Sequence, residues 1–190
     1  MAISLKKGEG ISLTKAAPSL TAGFVGLGWD VNNTTGADFD LDVSVFMLGQ
    51  DEKLVSDRHF IFYNNLVSPD PDHSVKLLGD NRTGEGEGDD EGIIIDLRKV
   101  PPEVAKMVIA VSIYEADKRK QNFGQVQNAY VRLVDVQTKE EILRYDLDED
   151  FSTETAVVMA EIYRDNGDWR VRAVGAGYPG GLEGLLNRYQ

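Results

Sequence analysis

Apolar side chains in this chain recur with a period of two, which commits most of it to extended strands. The clearest case is FDLDVSVFML (39–48). Phe39, Leu41, Val43 and Val45 fall on one side of such a strand, and Asp40 and Asp42, with Asp38 just ahead, fall on the other. AGFVGLGW, RHFIFYN, GIIIDL, KMVIAVSIYE, NAYVRLVDV, EEILRYDL, TAVVMAEIYR and DWRVRAVGAG continue the theme. AISL and ISLT flank KKGEG and read as an opening hairpin. QTK (137–139) reads as a second hairpin loop. Asn166-Gly167 reads as a tight turn, because both residue types tolerate positive φ. Only two segments have helical character: a turn at Pro101-Pro102-Glu103-Val104 and the C-terminal GLEGLLNRY.

About ten short strands with turn signals between them predict an all-β fold, an antiparallel β-sandwich with a short C-terminal helix. Strands alternating with long helices are missing, so a doubly wound α/β sheet is excluded. With no linker and no repeat of fixed period, residues 1–190 are expected to form one domain.

Charge is the second constraint. The net charge is −12, and it is concentrated. Residues 80–91 carry six carboxylates against Arg82 alone, and residues 30–42 carry four aspartates and no base, so these two patches hold most of the excess. Nucleic acid and anionic lipid would be repelled; a cation or a basic protein surface fits. The chain has no cysteine, which excludes a disulfide scaffold, thiolate metal ligation and a cysteine nucleophile. MAISLKKGEG has no apolar run of the kind that marks secretion, and no stretch is long and apolar enough to span a bilayer. A cytoplasmic location is expected.

Carboxylates two apart on one strand face sit about 7 Å from each other and repel by roughly 2 kcal/mol at an effective dielectric near 20. A cation among the oxygens would relieve that. The Gly-rich segment GDNRTGEGEGDDEG (79–92) is a natural partner, since glycine lets carbonyls and side chains turn inward. Asp80, Asn81, Glu85, Glu87, Asp89, Asp90 and Glu91 supply the hard oxygens that calcium takes, roughly six to eight of them, whereas softer metals would ask for Cys or paired His. Solvated acidic loops are the plain alternative for both patches. An EF-hand is excluded although Asp80 and Glu91 have the right separation. Arg82 stands where a ligand belongs, Glu85 replaces the turn glycine, and no long helices flank the loop.

Other motifs carry less. GAGYPG (Gly175, Gly177, Gly180) matches a dinucleotide fingerprint, but too little chain follows for a βαβ unit, so it reads as a tight strand exit. Paired acids also serve glycosidases, but acids beside glycines in open loops lack the enclosed cleft a general acid needs. Lys118-Arg119-Lys120 reads as a solvated tip, or with Phe123 as a partner contact.

Several blocks taken together resemble one family: GLGWD, FDLDVSVFML, FIFYNN, GDNRTGEGEGDDE, QNFGQV, YDLDEDFSTETA and GDWRVRAVGAGYPGGL. This ordered set, spread over nearly the whole chain, resembles the bacterial tellurium-resistance, TerD-like, family of stress proteins. Val43, where alanine is expected after DLD, departs from the pattern on the core side of the strand. The resemblance implies a β-sandwich whose acidic loops bind calcium, generally two ions. It implies a cytoplasmic role in resistance to tellurite, oxidants, phage or colicins, with protein partners in complexes near the inner membrane. It implies no catalytic activity. Carried onto this sequence, FDLD places Asp40 and Asp42 as ligands, and the glycine loop places Asp80, Asn81, Glu85, Glu87, Asp89, Asp90 and Glu91 in or near the sites. Asp30 of GLGWD and Asn65 of FYNN join them.

The expectation is a non-enzymatic, calcium-binding module of the stress response. The rival readings are a calcium-dependent phospholipid-binding module and a metal-dependent hydrolase using the same acids.

Overall fold

The computed structural model describes residues 2–30, 38–78, 88–149 and 151–190. In chain order its strands are β1 (Ile3–Ser4), β2 (Gly10–Ser12), β3 (Ala22–Gly28), β4 (Leu41–Leu48), β5 (Phe60–Ile61) and β6 (Val75–Leu77). They continue with β7 (Glu91–Asp96), β8 (Lys106–Ile113), β9 (Tyr130–Asp135), β10 (Glu141–Asp146), β11 (Ala156–Asp165) and β12 (Asp168–Tyr178). Three helices join them: α1 (Leu13–Ala16), α2 (Ala116–Arg119) and α3 (Gly181–Tyr189). The strands form two six-stranded sheets, β1-β10-β9-β3-β7-β6 and β2-β12-β11-β8-β4-β5. β1 and β10 are parallel; the central pairs, such as β3 with β7 and with β9 and β4 with β8, are antiparallel.

The period-two pattern fills the space between the sheets. Leu41, Val43, Val45 and Met47 of β4 face Val25, Leu27, Ile93 and Ile95 across one apolar core. The other face of β4 is apolar in its second half, and α3 accounts for that. Phe46 and Leu48, with Val108 and Val158 of neighbouring strands, are covered by Leu185 and Tyr189 of the helix. Phe46 stacks on Phe60 at 4.7 Å and meets Tyr189 at 4.8 Å. The Leu54 amide donates to the Tyr189 carbonyl at 2.7 Å, which fastens the C-terminal end of the helix.

One local expectation is corrected and two are refined. The strands flanking KKGEG do not pair with each other: β1 joins β10 and β2 joins β12, so the turn carries the chain between sheets. A strand's alternation names its buried face but not its partner. Pro101 to Val104 is a single turn closed by the Val104 amide on the Pro101 carbonyl at 3.0 Å, not a helix. In Lys118-Arg119-Lys120 the two lysines are exposed, as a solvated tip requires, but Arg119 turns toward Asp40, and Phe123 is buried in the core. The Asn166-Gly167 turn is as expected, with φ of 50° and 87° closing the β11–β12 hairpin.

Candidate metal centre at one end of the sandwich

The described acids of both patches lie where strands end. β3 runs out at Gly28, and Trp29 and Asp30 follow; β7 starts at Glu91, directly opposite Leu27. In the second sheet β4 starts at Leu41 opposite Ile113, the last residue of β8. The connection from β8 to β9 ties the two places together. At its first half the Gln121 amide nitrogen and Arg119 reach the Asp38 carbonyl, at 3.3 and 3.4 Å. At its second half the Gln127 carbonyl accepts from the Asp30 amide at 2.9 Å, and the Asn128 side chain donates to Asp30 Oδ2 at 2.6 Å.

Asp90 is the most constrained acid of the first sheet. Its amide donates to the Leu27 carbonyl at 2.7 Å, and its Oδ2 accepts from the Trp29 amide at 3.0 Å. The side chain is 8% exposed. Burial raises its pKa above the ordinary aspartate value. The Trp29 amide works against that rise, and the charges of Asp89 and Asp30 add to it. Glu91, 5% exposed, shares the inward parity of Ile93 and Ile95.

Asp89 turns to the outer face of the same sheet and serves a different purpose. Arg132 Nε donates to both of its oxygens, at 2.9 and 3.1 Å, and Nη2 adds a third bond at 2.8 Å. The Tyr130 hydroxyl adds a fourth at 3.0 Å. Gly26 makes this possible: a Cβ there would sit 2.3 Å from Asp89 Cγ. Burial, followed by the charge and hydrogen bond of Asp89, pushes the Tyr130 hydroxyl up to about 12. Asp89, expected in or near a metal site, accepts four hydrogen bonds from three donor groups and is the ion-pair partner of Arg132.

In the second sheet Asp40 is 5% exposed and lies 3.4 Å from Arg119 Nη2. Its carbonyl accepts from the Tyr114 amide at 2.8 Å. Asp42 is half-buried opposite Ser112. Tyr63 stands near enough that, after burial, the Asp42 charge is the next cause of its raised pKa.

Asn65 is placed by a turn. Its side-chain amide donates to the carbonyls of Phe60 at 2.6 Å and Arg58 at 3.1 Å, which gives it a structural task around β5. Asp80, Asn81, Glu85 and Glu87 lie outside the described residues. Among the described residues no three His, Asp or Glu side chains converge tightly enough to hold a metal by themselves. The structure thus brings Asp30, Asp89, Asp90 and Glu91 together on one sheet and Asp40 and Asp42 on the other. The basic partners Arg119 and Arg132 were not legible as such. Arg132's outward parity between Val131 and Leu133 was the available signal, but its partner is far away in sequence. The donors are hard oxygens, and a hard divalent cation such as calcium suits them.

Comparison with known proteins decides the family. The TerD domain matches residues 1–189. The chain belongs to the TerD family. It is 53% identical over 189 residues to the tellurium resistance protein TerD of Serratia marcescens, covering all of this chain and 97% of that one. It is 50% identical over 190 residues to general stress protein 16U of Bacillus subtilis, again covering all of this chain and 97% of the relative. Among solved structures, that of a TerD homologue from Streptomyces coelicolor superposes with a TM-score of 0.69 at 22% identity. It covers 87% of this chain and 94% of the other and supports the TerD sandwich as the shared fold. No helix among the described residues is long and apolar enough to cross a membrane.

Proposed function

We propose that this TerD-family protein is a calcium-binding, non-catalytic module of the stress response that works in the cytoplasm through protein partners. The observation that carries the reading is the burial of Asp40, Asp90 and Glu91, each under 10% exposed, at the same end of the sandwich. Like charges gathered in surroundings of low dielectric favour a cation among them. Bound calcium would supply positive charge that cancels their repulsion. Asp30, Asp90 and Glu91 on one sheet and Asp40 and Asp42 on the other would hold it. Asp80, Asn81, Glu85 and Glu87 would complete the donor set for two ions. Trp29, through its amide, fixes the Asp90 carboxylate, and Asn128 fixes Asp30. Arg119 lies beside Asp40 and so limits how much negative charge that side presents.

The stress role rests on kinship with proteins named for tellurium resistance and general stress. The order imposed on the acidic end would shape a surface for a partner. Calorimetric titration with calcium tests the binding. Heat saturating below millimolar calcium, weakened in Asp42→Ala, is expected; a flat trace through millimolar calcium would end the reading.

A further inference from the structure

A second feature adjoins the acidic end and shares Asp42 with it: a cleft of about 530 Å³ on the outer side of the second sheet. It opens between the start of α3 and the turn that follows β8. Its volume is within the range of small-molecule sites, roughly 300–1,000 Å³. Phe60, Phe62, Leu182 and Leu186 give it apolar surface. Tyr63 and Tyr114, 41% and 39% exposed, stand edge to face with centroids 6.4 Å apart. Such exposed aromatic area beside an apolar cavity is the usual mark of a binding surface.

Charge chooses the occupant. Asp42, Glu115, Asp117 and Glu183 line the cleft, against Lys118 as the one cationic side chain among its described lining residues. Lys118 is itself paired with Glu115. The first turn of α3 also faces this space, and a helix N-terminus carries about half a positive charge. Glu183 in that turn offsets it. The remaining field is negative, which turns away anions. Aromatic and apolar walls are poor company for a bare metal ion, which seeks oxygen on all sides. They suit an organic cation, whose charge can rest against a ring face and whose stem can cover apolar surface. Tyr114 is already used in this way: the Arg119 guanidinium, outside the cleft, lies 5.5 Å from its centroid. The turn is also held in a costly form, since Glu115 has φ 50° and ψ 35°, a left-handed conformation that non-glycine residues rarely keep without a reason.

We propose that this cleft binds a guanidinium or alkylammonium group on an apolar stem, whether from a free small molecule or from an arginine or lysine side chain of a partner. The charge is met by Glu115, Asp117 and Glu183 with Asp42, and the stem by Tyr63, Tyr114 and Leu182. The inference does not rest on calcium binding.

The test is an amide-resolved NMR titration of the full chain in chelator, which keeps the outcome separate from the calcium reading. The probes are n-butylguanidinium, a blocked arginine tripeptide, and the neutral isostere n-butylurea. Saturable shifts at Tyr63, Tyr114 and Leu182 are expected with the two cations and not with the urea. Binding should weaken about five-fold in Tyr114→Ala, and similarly in Glu183→Gln, both at exposed positions outside the core. Tighter binding of n-butylguanidinium identifies a free-molecule site, and tighter binding of the peptide a partner's side chain; either supports the shared chemistry. Equal binding of the urea, absence of saturation, or indifference to both substitutions would overturn it.

Discussion

Asp89 and Asp90 are adjacent in sequence and do opposite things, because successive side chains leave a strand on opposite sides. Asp89 locks Arg132 and Tyr130 over the outer face, while Asp90 turns in against the Trp29 amide. Asp89→Asn should therefore lower stability by about 1–2 kcal/mol in urea denaturation, the Arg132 guanidinium keeping Glu141 at 3.0 Å as a remaining partner. Asp90 should behave differently with pH. Its pKa is raised on folding, so its stabilising contribution is present below the aspartate pKa of the unfolded chain and is lost as pH rises through the folded value. In calcium-free protein at neutral pH, Asp90→Asn should thus melt at or above the wild-type temperature. The comparison repeated at pH 4 should narrow the gap. A substitution that lowers the melting temperature at neutral pH without metal would contradict this account of Asp90. The sequence showed that both residues are acidic and near a strand start. It could not separate their roles, since Arg132 and Trp29 lie in segments distant in sequence.

At the scale of elements, β3 works as a flat platform. Gly26 leaves room for Asp89. Gly26→Ala should destabilise at least as much as Asp89→Asn and should not add to it, since both release the same ion pair; a double-mutant cycle measures this. The C-terminal helix is the second element with a clear task. Leu185 is fully buried on the outer face of the second sheet. Leu185→Ala should cost about 2–4 kcal/mol by chemical denaturation. GLEGLLNRY was readable as a helix, and VSVFML as a strand apolar on both faces, but nothing local joined one to the other. The same limit explains the misread opening hairpin. Alternation and turn chemistry identify strands well, and they found β4, β8, β9, β11 and β12. Which strands become neighbours is settled by the core that the whole chain encloses.

Over the whole molecule, the described acids of the two patches lie far apart in sequence yet converge at one end of the sandwich through the β8–β9 connection. The density of acids was legible; their convergence required the fold. A chain of net charge −12 should not pellet with anionic vesicles without calcium, and under the proposed function calcium should not change that; sedimentation checks both halves. The two tryptophans allow the most direct test. Trp29 holds Asp90 at the acidic end, whereas Trp169 bonds the Leu97 carbonyl just past the far end of β7. In Trp169→Phe, the fluorescence of Trp29 should change saturably with calcium below millimolar concentration, and Asp90→Asn should shift that curve to higher calcium. A signal that stays constant through millimolar calcium, or one that Asp90→Asn leaves untouched, would contradict a calcium centre at this end of the fold.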